Sequence, residues 1–132
     1  MNAKQLIEIA ERARKNAYAP YSGFTVGAAL LASDGRVFEG CNIENASYTP
    51  TCCAERVAIF KAVSEGCRDF RAIAVAGGEG ETLRDRCYPC GVCRQVMAEF
   101  CASEMKIYFS NGESTVFGEL LPNRFSLEKD ER

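Results

Sequence analysis

Residues 53–66 read Cys-Ala-Glu-Arg-Val-Ala-Ile-Phe-Lys-Ala-Val-Ser-Glu-Gly. Ala54, Val57, Ala58, Ile59, Phe60, Ala62 and Val63 are apolar nearly all round the helical wheel, which a solvent-facing helix does not show. Residues 53–65 are therefore expected to form a buried helix, stopped by Gly66. Upstream, residues 24–31 are rich in apolar side chains and short enough for a buried strand. The Ser33-Asp34-Gly35 turn then leads into a partner strand over residues 36–41, making a hairpin. Downstream, residues 71–76 read as another strand. A helix joining two strands implies a parallel pair, whereas hairpins imply antiparallel ones, so the sheet should be mixed.

The flanks extend this pattern. Leu6, Ile9, Ala10, Ala13 and Ala17 recur at helical spacing with charged residues between them, predicting an amphipathic first helix that ends before Pro20. Residues 42–52 and 77–86 are polar and read as loops. Pro89 precedes a further helix over residues 91–101, with Val92, Val96, Met97 and Phe100 on its inner face. Residues 106–109 and 114–117 read as two short strands joined by an Asn111-Gly112 turn. A charged tail, from about residue 127 or 128 onward, is expected to fray. The whole chain, residues 1–132, is thus one α/β domain, a five-stranded mixed sheet with helices packed on its faces.

Composition limits what such a domain does. The 132 residues suffice for one ordinary core, and 47% are hydrophobic against 26% charged. Sixteen basic and 18 acidic residues leave a net charge of -2, which offers no basic face to nucleic acid. There are no histidines, so a Ser-His-Asp triad, a Cys-His pair and histidine-containing zinc sites are excluded. A proton shuttle near neutral pH must then be a carboxylate, Cys, Lys or Tyr with a shifted pKa. Eight cysteines are many for this length. The first ten residues do not resemble a signal peptide and no apolar run could span a bilayer, so a cytoplasmic location and metal-binding thiols are expected.

Two predicted helix starts carry the chemistry. One holds Cys53-Ala54-Glu55-Arg56, the other Pro89-Cys90-Gly91-Val92-Cys93-Arg94-Gln95. Two cysteines separated by two residues at a helix start can aim both sulfurs at one ion. A third thiolate from the other helix start leaves one tetrahedral position for water, the arrangement of a catalytic zinc; structural sites are closed by four ligands. Helix N-termini favour thiolate over thiol. Three thiolates on Zn²⁺ sum to -1, and Arg56 is the candidate to offset that charge through hydrogen bonds to the sulfurs. Glu55 would neighbour the metal without ligating it. Cys52 and Cys87 leave a four-cysteine structural site open, while Cys41, Cys67 and Cys101 read as small buried apolar residues. Phe24, Asn42 and Glu44, taken alone, read as core and turn residues, and Arg84 with Arg86 as a solvated loop.

These motifs resemble the cytidine deaminases, specifically the small homotetrameric kind that binds zinc through three cysteines. The resemblance covers residues 3–126. It includes Tyr21-Ser22-Gly23-Phe24-Thr25-Val26-Gly27, Asn42-Ile43-Glu44-Asn45-Ala46-Ser47-Tyr48, both cysteine motifs, and Glu119-Leu120-Leu121-Pro122-Asn123-Arg124-Phe125-Ser126. It implies a three-layer α/β/α sandwich and zinc-dependent hydrolytic deamination of cytidine and deoxycytidine. By that similarity Cys53, Cys90 and Cys93 hold one zinc per subunit and Glu55 shuttles protons. Phe24 would stack on the pyrimidine, Asn42 and Glu44 would bind the ribose 3′-hydroxyl, and the Ala54 backbone would contact the base. In a homotetramer, Phe125 and the Tyr48 loop would help complete a neighbouring subunit's site. Cys52 and the Cys87-Tyr88 pair depart from the family pattern. Two rivals remain: a blasticidin-type nucleoside antibiotic deaminase of the same fold, and a non-enzymatic zinc module.

Overall fold

In the computed structural model, residues 1–127 are described, and the charged end of the chain lies outside them. The elements are α1 (Ala3–Ala13), β1 (Phe24–Ala32), β2 (Val37–Cys41), α2 (Ala54–Ser64), β3 (Phe70–Glu79), β4 (Thr82–Leu83), α3 (Gly91–Phe100), β5 (Lys106–Phe109), β6 (Ser114–Val116) and α4 (Phe117–Leu120). The strands run in the order β2-β1-β3-β5-β6, with the two-residue β4 paired to β3. Among the strands of the described residues, β3 and β5 alone pair in parallel, in register from Ala72↔Lys106 to Val75↔Phe109, with α3 on the crossover between them. The other pairs are antiparallel. The mixed sheet follows from the alternation of hairpins and crossover helices.

Strand alternation divides the core in two. Ala29, Leu31, Ala72, Ala74 and Ala76 face one way and meet Leu6, Ile7 and Ala10 of α1. Ala28, Leu30, Ile73, Val75, Ile107 and Phe109 face the other way, toward Ala54, Ala58, Ile59 and Ala62 of α2 and Met97 of α3. The result is a three-layer α/β/α sandwich whose sheet is buried on both sides. In α1, Asn2 caps the first turn, and Asn2 and Gln5 exchange backbone-to-side-chain bonds of 2.9 and 3.0 Å.

The structure differs from the sequence reading at several places, among them Val92 of α3, which stands 58% exposed instead of facing inward, and Phe60 of α2, which is 47% exposed. The first helix ends at Ala13 and tightens into a 3₁₀ turn over Arg14–Asn16. There the Arg14 guanidinium donates to the carbonyls of Thr25, Gly78 and Gly80, tying the turn to the sheet. The third strand continues beyond Ala76, through Gly77 and Gly78 to Glu79, and folds back as β4 where a loop was expected. A short helix, α4, follows β6 and buries Phe117 completely. Cys41 is half-buried instead of buried, whereas Cys67 and Cys101 lie in the core as expected.

One close approach sets where α2 lies on the sheet. A Cβ at Gly40 of β2 would stand 2.3 Å from the Ala54 carbonyl oxygen and 2.6 Å from the Ala58 nitrogen. Glycine at this position lets the first turn of α2 rest directly on backbone.

Candidate metal centre

Helices α2 and α3 begin on Cys53 and Cys90, both in extended conformation and neither using its side chain as a hydrogen-bonding cap. The first N–H groups of a helix have no intrahelical partner, so each start carries partial positive charge toward its cysteine. Packed on the same face of the sheet, the two starts bring three sulfurs together. Cys53 Sγ lies 3.7 Å from Cys90 Sγ, and Cys90 Sγ 3.5 Å from Cys93 Sγ. All three fall within 4.8 Å of one another and, among the described residues, form the one cluster of metal-ligating groups.

This triangle fits zinc. Sulfurs at about 2.3 Å from a tetrahedral Zn²⁺ stand about 3.8 Å apart. Neither Cys52 nor Cys87 joins the cluster. Cys52 is held by a backbone bridge to Ile43 through two bonds of 2.9 Å. In extended chain, neighbouring side chains point opposite ways, so Cys52 diverges where Cys53 converges. Burial pushes the Cys87 thiol up to about 11.

The electrostatics suit a dication. A hydrogen bond from Cys93, opposed by burial and helped by Arg56 and Cys90, draws the Cys53 thiol below its usual range. The same contact with Cys53, together with burial, drives Cys93 up. Metal binding requires thiolates, so a divalent ion bound here would displace the thiol protons. Arg56 Nη2 donates to Cys53 Sγ at 3.4 Å, placing positive charge beside the anionic cluster. Its Nε is buried without a partner.

Glu55 is 3% exposed, the one buried charged residue among the described residues. Burial, reinforced by the Cys53 charge and moderated by a backbone hydrogen bond and Arg56, pushes its carboxyl up to about 7. Such a group both accepts and donates a proton near neutral pH.

The remaining site candidates surround the first residue of β1. Phe24 is half-buried there, opposite Glu79 of β3. Asn42 is already engaged: its Oδ1 accepts from the Val26 N–H and its Nδ2 donates to the Phe24 carbonyl, both at 2.8 Å. One amide hydrogen and one lone pair of Asn42 stay available to a ligand. Glu44 accepts from the N–H groups of Tyr21 and Ser22 at 2.9 and 3.1 Å and from the Ser22 hydroxyl. The Ser22 hydroxyl above all holds its carboxyl below the usual range. Ala54 is fully buried at the start of α2, while Tyr48 and Phe125 stand 86% and 64% exposed. Phe125 is tied to α3 by Gln95, whose amide donates to its carbonyl at 3.4 Å. Sequence reasoning missed Arg84: its guanidinium lies 4.9 Å over the Phe24 ring, whereas Arg86 pairs with Glu113 at 3.0 Å on the surface.

Residues 1–109 match the family described as the cytidine and deoxycytidylate deaminase zinc-binding region. The chain belongs to that family of zinc-binding deaminases. A cytidine deaminase from Sporosarcina psychrophila is 52% identical over 97% of this chain and 94% of its own length. The crystal structure of cytidine deaminase from Burkholderia pseudomallei superposes with a TM-score of 0.87 at 48% identity, covering 95% of this chain and 100% of that one. That of the Mycobacterium tuberculosis cytidine deaminase gives 0.84 at 41% identity, covering 96% and 99%. Among the described residues, no helix is long and apolar enough to cross a membrane.

Proposed function

We propose that this chain is a cytidine deaminase, hydrolysing cytidine and 2′-deoxycytidine to uridine, 2′-deoxyuridine and ammonia. One observation carries the reading: a three-sulfur triangle of zinc dimensions at two helix starts, with the buried Glu55 carboxyl two residues from one of its sulfurs. Cys53, Cys90 and Cys93 would hold one zinc ion per chain. When bound, zinc supplies the Lewis acidity that makes water a competent nucleophile near neutral pH. The chain's own residues do the rest. Glu55 takes a proton from the attacking water and delivers it to N3 of cytosine. It then takes the second proton from the new C4 hydroxyl and delivers it to the departing amino group, so that the C4–N4 bond breaks as the C4 carbonyl forms. A carboxyl tuned to about 7 serves both directions of transfer. Arg56 moderates the negative charge of the thiolates.

Phe24 stacks on the base, the Ala54 backbone contacts it, and the free amide hydrogen of Asn42 and the Glu44 carboxylate meet the ribose 3′-hydroxyl. The exposure of Tyr48 and Phe125 supports the reading that both residues serve a neighbouring subunit's site in a homotetramer. Residues 1–132 act as one domain, in the cytoplasm, in pyrimidine salvage. Purified protein is expected to remove the ultraviolet absorbance of cytidine, to leave blasticidin untouched, and to stop on zinc chelation. Turnover of blasticidin alone would assign it to the antibiotic deaminases. X-ray absorption showing four sulfurs around zinc, with no turnover, would make it a structural module.

A further inference from the structure

Gly77 of β3 lies where three side chains meet. A Cβ there would stand 2.8 Å from Cys87 Sγ, 3.0 Å from Phe24 Cε1 and 3.1 Å from Val26 Cγ2. The thiol and the edge of the Phe24 ring therefore both abut a bare Cα. The Gly77 carbonyl, in turn, accepts the Arg84 N–H at 2.9 Å, beside the Gly78↔Leu83 pairing of β3 with β4. That bond fixes the root of the Arg84 side chain, whose guanidinium reaches back over the Phe24 ring at 4.9 Å from its centroid. Phe24 opens β1, where an aromatic side chain has few strand neighbours to restrain it. Here it is bounded along one edge by Gly77 and Cys87 and on one face by a cation.

We propose that Gly77, Cys87 and Arg84 form a cradle that positions the Phe24 ring and thereby sets affinity for the pyrimidine. They are positioning residues. The proposal rests on the reading of Phe24 as the stacking platform. The cation is attracted to the ring's negative face, leaving the opposite face for a base. A ring already fixed in place spares the ligand the entropy of ordering it, so the cradle improves binding without touching the reacting atoms. The bare Cα at position 77 and the slim thiol at position 87 make room for the ring edge. Arg84 is exposed.

The test is a kinetic cycle on the zinc-loaded enzyme, with zinc content measured for every variant. Arg84→Ala is expected to raise KM for cytidine and the inhibition constant of uridine by roughly fivefold, with kcat held within about twofold. Arg84→Lys should recover part of the loss, since it keeps the charge. Gly77→Ala should raise KM about tenfold, and adding Cys87→Ala should restore part of it by removing the nearest obstructing atom. Phe24→Ala should raise KM by itself, and Arg84→Ala should then add nothing. If Arg84→Ala changed KM equally with and without Phe24, Arg84 would act on the substrate directly and the cradle would be wrong. An unchanged KM in Arg84→Ala, with Phe24→Ala still harmful, overturns the cradle alone. An unchanged KM in Phe24→Ala overturns the stacking platform, and the cradle with it.

Discussion

Gly40→Ala tests whether the sheet itself places the catalytic helix. The added Cβ would lie 2.3 Å from the Ala54 oxygen and 2.6 Å from the Ala58 nitrogen, while ordinary contact begins at 3.4 Å. Both obstacles are backbone, and Gly40 is itself paired to Ala28 in the sheet, so no flexible side chain can give way. The first turn of α2 must therefore lift by about 1 Å, taking Cys53 and Glu55 with it. Overpacking of this kind costs about 1–3 kcal/mol. For a chain of this size that lowers Tm by roughly 3–15 °C. A displacement near 1 Å at the reacting groups costs about 100-fold in rate. The assay pairs kcat on cytidine with zinc content and a thermal melt. Gly35→Ala is the comparison: Gly35 has φ +95, and a Cβ added there would meet nothing within 4 Å, so alanine strains the turn and touches no helix. It should lose about 1 kcal/mol of stability and keep native kcat. Native kcat and zinc content in Gly40→Ala would refute the reasoning, as would an equal loss of kcat in Gly35→Ala.

Two further outcomes bear on the site. Glu55→Gln should keep the fold and one zinc per chain yet lose about 100- to 10,000-fold in kcat, measured by ultraviolet turnover; near-normal kcat would remove Glu55 from the proton path. Cys53→Ala should lose zinc and activity together, whereas Cys52→Ala should keep one zinc per chain. Metal analysis showing the reverse would exchange their roles.

Much of this architecture is legible in the sequence because hydrophobic spacing and turn residues agree along the chain. The apolar circumference of α2 announces a helix buried against the sheet, and the two cysteine motifs announce a metal centre. The two cysteines at 52 and 53 cannot be told apart by composition. It takes the backbone bridge between Cys52 and Ile43 to turn one sulfur away and the other inward. The end of β3 is hidden for a related reason. Gly77 and Gly78 look like loop residues, but each is glycine because side chains or backbone crowd a continuing strand. Arg84 looks like one charge in a polar loop, since the ring beneath it is far away in sequence. Asn42 and Glu44 prove to be brackets for the backbone as well as candidate ligands, a double duty that no local pattern reveals.

Helices α2 and α3 both start on a cysteine whose side chain caps nothing. Serine or aspartate at either position would satisfy an orphan N–H and firm its helix by about 1 kcal/mol. Selection for heat resistance alone would therefore drift toward those residues and erase the metal site in doing so. What persists at these two starts is a weakness, tolerated because the sulfurs are worth more to chemistry than to folding.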